Sequence, residues 1–131
     1  MLQASSIEKK YGDLQILKGI DLTVAPAEII SIVGSSGAGK TTLLQILGTL
    51  DAPSSGQLLI EGKNPFELNE KALSHFRNQR LGFVFQFHQL LPEFSALENA
   101  MLPALIGGKS KKEAEQHAAS SAYTEINNLR P

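Results

Sequence analysis

The chain has 131 residues, no cysteine, 42% hydrophobic and 19% charged residues and a formal net charge of −1. It is long enough for one domain with one core, and it can form neither a disulfide nor a thiolate metal site. The near-neutral balance, with no basic stripe, excludes nucleic-acid binding as a main activity on electrostatic grounds. No stretch is apolar enough for a membrane-spanning helix and the N-terminus has no leader pattern, so the chain is expected in the cytosol, reaching a membrane only through a partner.

Residues 2–9 alternate loosely and residues 20–24 cleanly, which predicts strands of a half-exposed antiparallel sheet with Tyr11, Gly12 and Asp13 as the turn between them. Residues 28–33 (E-I-I-S-I-V) form a short apolar run between Pro26 and Gly34, read as a strand buried on both faces. Residues 41–50 place Leu43, Leu44, Ile46, Leu47 and Leu50 near a 3.6-residue period, so a helix follows. The breaker at 51–56 precedes a strand at 57–61 and a turn at 62–65. Asn69 is suited to cap a helix running to about residue 79, and 81–86 (L-G-F-V-F-Q) reads as a second buried strand. Ser95 and Glu98 form a capping-box pattern for a helix that stops at Gly107 and Gly108, with Pro103 expected to kink or shorten it. Ser110 and Glu113 repeat the pattern for a last helix, where Ala114, Ala118, Ala122, Ile126 and Leu129 share one face. His75, His88 and His117 stand at unrelated spacings and read as surface or packing residues, not metal ligands.

The most informative stretch is 34–42, G-S-S-G-A-G-K-T-T, set between the apolar run and the helix. Gly34, Ser35, Ser36, Gly37, Ala38 and Gly39 have the spacing at which successive backbone N–H groups turn inward around phosphate oxygens, and the glycines allow positive φ and close ligand approach. Lys40 supplies a mobile positive charge for the outer phosphates, Thr41 a hydroxyl for Mg²⁺, and Thr42 continues into a helix whose positive end faces the phosphates.

With these pieces in order, the chain resembles the ATP-binding subunits of ABC transporters, and within them the subgroup that powers lipoprotein release and macrolide-type export. The likeness rests on Tyr11 ahead of L-K-G-I-D-L (17–22), on the Walker A loop at 34–42, and on its continuation L-G-T-L-D-A-P-S-S-G (47–56). It rests also on Gln86 at the end of G-F-V-F-Q and on L-P-E-F-S-A-L-E-N (91–99). The resemblance implies an α/β P-loop NTPase fold of ABC ATPase type. An N-terminal antiparallel subdomain would be joined to the first part of the core and of the helical subdomain, incomplete at the C-terminus. It implies that Tyr11 stacks on adenine, that residues 34–42 hold ATP, that Thr41 and Gln86 meet Mg²⁺, and that Lys40 and Gln86 serve catalysis. The partners it implies are integral membrane permease subunits and, at full length, a second ATP-binding subunit, with the protein peripheral on the cytoplasmic face of the inner membrane.

The resemblance is expected to cover a partial ATP-binding domain at 1–118, with 119–131 a tail unlike the family. Ala27 departs from the family's usual glycine and is expected to be a tolerated backbone change. The family's L-S-G-G-Q-type signature, Walker B Asp-Glu, D-loop and switch histidine have no counterpart here. ATP binding without turnover is therefore expected of this polypeptide alone, with uncovered sheet edges as an aggregation hazard. The alternative is a truncated, non-catalytic nucleotide-binding protein that regulates a full-length ABC partner. A GTPase or small-molecule kinase would need an N-K-x-D element or leave Tyr11 and Gln86 unexplained, and a DNA-repair or translation ATPase would need long insertions or a basic surface.

Overall fold

The computed structural model describes residues 1–85 and 90–128, with side chains in the last helix as far as residue 121. The chain divides into two compact units, Met1–Arg77 and Asn78–Pro131.

In the first unit, β1 (Leu2–Tyr11), β2 (Leu14–Val24) and β3 (Ser55–Ile60) form an antiparallel sheet in the order β2-β1-β3. Ala4 lies opposite Leu22 on one side and Leu58 on the other. The loose alternation of β1 has a structural cause. The buried positions Ala4 and Ile7 are three residues apart because a bulge interrupts the register there. Ser6, at φ 50, turns its N–H to Asp21 Oδ1 at 2.7 Å. A side chain at Gly56 would stand 2.3 Å from the Ser6 carbonyl, so only glycine lets β3 pass the bulge. In β2, residues 20–24 alternate between half-buried and exposed, as the pattern predicts.

Helix α1 (Lys40–Leu47) turns Leu43, Ile46 and Leu47 into the core that also holds Ile7, Leu17, Leu58 and Ile60. It ends at Gly48, whose N–H reaches the Leu44 carbonyl. After a short 3-10 turn at Pro65–Glu67, α2 (Glu70–Arg80) begins where Asn69 Oδ1 accepts the Ala72 N–H at 2.9 Å. Arg77 donates from Nε and Nη2 to the hydroxyl and carbonyl of buried Thr49, both at 3.1 Å.

The second unit pairs α3 (Ala96–Ile106) with α4 (Lys111–Asn128). Both capping boxes form: Glu98 Oε2 accepts the Ser95 N–H at 2.8 Å, and Glu113 Oε2 accepts that of Ser110 at 2.9 Å. Helix α3 is not shortened at Pro103. The lost N–H falls in its last turn, and Gly107 donates back to the Pro103 carbonyl at 3.0 Å. Met101, Ala114 and Ala118 are buried together, giving this unit a small core of its own where one core was expected. The side chains of Ala122, Ile126 and Leu129 lie outside the described residues.

The two expected buried strands are absent from the described residues. Residues 28–33 and 81–85 are neither helix nor strand; Ile29 is 95% and Val33 88% exposed, and Val84 is fully exposed. A strand exists only where a neighbour accepts and donates its backbone hydrogen bonds. The sheet of this structure, β2-β1-β3, provides none for either run.

Candidate nucleotide-binding site

The glycine loop at 34–39 stands between the exposed run at 28–33 and α1. Gly37 and Gly39 have φ of 78 and 86, and Ala38 donates to the Ser35 carbonyl at 3.2 Å, which turns the loop back on itself. Gly39 is required twice over: its φ is left-handed, and a Cβ there would stand 2.8 Å from Leu17 Cδ2 and 3.0 Å from Ile16 Cγ2 of β2. The loop is thus pressed against the sheet at the residue that caps α1. No side chain caps this helix start among the described residues, in contrast to the capping boxes of α3 and α4. Donors at a helix N-terminus that lack a side-chain partner suit an anion.

Lys40 folds over the loop. Its Nζ donates to the carbonyls of Gly34 at 2.9 Å and Ser35 at 2.6 Å. Thr41 is exposed on the first turn of α1, and Ser35, Ser36 and Ala38 are exposed around the cradle. The residues from Gly34 through Thr42 are exposed or half-buried throughout. Of the two other site residues named from the sequence, Tyr11 and Gln86, Gln86 lies outside the described residues, as does His88.

Tyr11 ends β1, half-exposed, and its hydroxyl donates to Asp51 Oδ2 at 2.7 Å. That hydrogen bond holds the phenol's pKa above its ordinary value, reinforced by desolvation and the carboxylate's charge and opposed by a hydrogen bond with Thr42. The ring thus belongs to the neighbourhood of α1's first turn. Asp51 is held below the usual carboxylate range, first by the Lys9 ammonium and then by the Tyr11 hydroxyl. Lys9 donates to Asp51 Oδ1 at 2.7 Å and to the Ala52 carbonyl at 2.6 Å, and its Nζ lies 5.0 Å from the Tyr11 ring centroid. Lys9 and Asp51 were not singled out from the sequence. The available signal was a lysine two residues after Ile7 on the inward side of β1, where burial demands a counter-charge.

The sheet, the glycine loop and the helix opening on it define a P-loop NTPase fold of ABC ATPase type. A protein-family model described as ABC transporter matches residues 17–130. The chain belongs to the ABC transporter family. It is 58% identical over 118 residues to the lipoprotein-releasing system ATP-binding protein LolD of Porphyromonas gingivalis, covering 90% of this chain and 54% of that protein. It is 60% identical over 118 residues to LolD of Bacteroides thetaiotaomicron, covering 90% and 54%. The chain thus spans about half the length of the curated relatives it matches. Among solved structures it is similar to the dimeric post-hydrolysis state of the ATP-binding cassette MJ0796 bound to ADP and Pi. That match has a TM-score of 0.81 and 34% identity, covering 92% of this chain and 55% of that one. No helix of the described residues is long and apolar enough to cross a membrane.

Proposed function

We propose that this chain is the nucleotide-holding part of an ABC-type ATP-binding subunit that powers lipoprotein release, working with integral membrane permease subunits on the cytoplasmic face of the inner membrane. Its identity to LolD proteins supports the cargo class, and the dimeric MJ0796 structures support pairing with a second ATP-binding subunit at full length. The observation that carries the reading is the loop itself. Residues 34–39 wrap backward into a helix start without a side-chain cap, with Lys40 beside them.

In this reading the Lys40 ammonium leaves the Gly34 and Ser35 carbonyls for the outer phosphate oxygens, and the loop N–H groups hold the remaining phosphate charge. The exposed Thr41 hydroxyl and Gln86 would hold Mg²⁺, which when bound neutralises phosphate charge. Tyr11 stacks on the base. Phosphoryl transfer further needs positioned charges around the metal and the attacking water, so the role proposed for these residues is ATP binding.

Calorimetric titration of the chain with ATP and Mg²⁺ tests this. Lys40→Ala is expected to weaken binding by about tenfold or more, the loss of a charge-assisted contact. Binding indifferent to Lys40, or a preference for GTP over ATP, would overturn the proposal.

A further inference from the structure

We propose that Asp51 and Lys9 are positioning residues that hold the Tyr11 ring as a one-faced platform for the adenine base; this rests on the ATP-binding reading above. The cluster is built from the segment after α1 and from β1. Past the helix's C-terminal end, Leu50 and Asp51 donate their N–H groups to the Gln45 carbonyl at 2.8 and 3.3 Å. Ser54 then ties the same segment to β1, donating to the Glu8 carbonyl at 2.8 Å while its hydroxyl accepts the Lys10 N–H at 3.0 Å. Asp51 is thereby delivered beside Lys9 and Tyr11 by backbone contacts on two elements. Its two carboxylate oxygens are divided, Oδ1 to the Lys9 ammonium and Oδ2 to the Tyr11 hydroxyl.

The division fixes the ring in two ways. The hydroxyl is anchored at one end, removing the swing of a half-exposed aromatic that would otherwise be lost on binding. The Lys9 ammonium, held by Asp51 and the Ala52 carbonyl, sits over one face at 5.0 Å from the centroid. In this proposal a flat base stacks on the opposite face of the half-exposed ring. Lys9 is buried apart from this contact and Asp51 partly so, which makes the arrangement stiffer than an ordinary surface ion pair. None of these three side chains belongs to the cradle at 34–42, although Tyr11 meets it at Thr42, so Asp51→Ala is the cleaner probe of base affinity apart from phosphate affinity.

The test is a comparison of ATP with inorganic tripolyphosphate, both with Mg²⁺, titrated into the full chain and its variants. Asp51→Ala and Tyr11→Phe are each expected to weaken ATP about three- to tenfold, a part of what base stacking supplies. Tripolyphosphate affinity should stay unchanged, and the double variant should bind no worse than either single one. Asp51→Asn, which keeps an acceptor for the hydroxyl, should restore ATP affinity to within about twofold of the parent chain. Equal losses for ATP and tripolyphosphate would show that Asp51 acts only on the fold, and ATP affinity untouched by Asp51→Ala and Tyr11→Phe would show that the ring needs no anchor. Either result overturns the positioning role while leaving ATP binding intact. A parent chain that binds neither ligand would overturn the ATP-binding reading, and this inference with it.

Discussion

The sheet of β1, β2 and β3 and the apolar runs at 28–33 and 81–85 are built from similar residues, but they occupy opposite environments. Ile7 and Leu58 are fully buried, whereas Ile29 and Val33 stand almost wholly in solvent. The difference lies in the partner each segment needs. An antiparallel strand finds its neighbour one turn away, as β1 finds β2 across Gly12 and Asp13. A strand meant for burial on both faces needs parallel neighbours that arrive by crossover and cover from either side. Neither is supplied by the sheet described here.

The largest expected effect breaks this comparison directly. Leu58→Ala should cost about 2–5 kcal/mol of stability, the range for truncating a closely packed core side chain. Ile29→Ala, which removes atoms 95% exposed in this structure, should change stability by no more than about 0.5 kcal/mol. Urea unfolding of the two variants decides between them. Comparable losses would mean that the run at 28–33 is packed in solution.

The same contrast explains what could be read from the residues. Positions of α1, α2, β3 and both capping boxes were legible because their signals are local: a helical period beside a glycine loop, Asn69 before α2, and Ser-x-x-Glu before α3 and α4. The turn of the glycine loop at 34–39 was legible for the same reason, since its conformation is set by its own glycines. The fate of 28–33 and 81–85 was not, because an apolar run states a preference for burial without saying what will bury it. The first half of β2 was also missed. Residues 14–19 become strand through pairing with the end of β1, although their own pattern does not alternate. Lys9 and Asp51 were invisible for a related reason: they are 42 positions apart and meet only once the sheet and α1 are assembled.

A smaller effect probes the sheet side of the comparison through pH. Asp51 has its folded pKa depressed by Lys9 and Tyr11, so its contribution is present above the ordinary carboxylate pKa of about 3.9 and is lost as pH falls through the lower folded value. Tyr11 has its pKa raised, so its contribution is full below about pH 10 and is lost as pH rises through the folded value. Asp51→Asn should therefore cost about 1 kcal/mol near neutral pH, from the ion pair with Lys9, with the gap to the parent chain closing in acid. Unfolding midpoints measured from pH 3 to 7 check the sign; a gap that widens in acid would contradict it.

The smallest expected effect lies at the junction of the two regions, where β2 hands over to the run at 28–33. Residues 25–28 form a tight turn: Glu28 donates to the Ala25 carbonyl at 3.2 Å, and its carboxylate accepts the Ala25 N–H at 2.7 Å. Pro26 suits the second position of such a turn, but the third falls to Ala27 at φ 62, in the left-handed region where a Cβ meets the following carbonyl. Holding alanine there costs about 1–2 kcal/mol, while glycine in its place costs about 0.5–1 kcal/mol more unfolded-chain entropy. The strain term is the larger, so Ala27→Gly should raise stability by up to about 1 kcal/mol, read as a higher unfolding midpoint with an unchanged denaturant slope. If the midpoint falls instead, the entropy term governs this turn, and the alanine restrains the entry to the exposed run at no net cost.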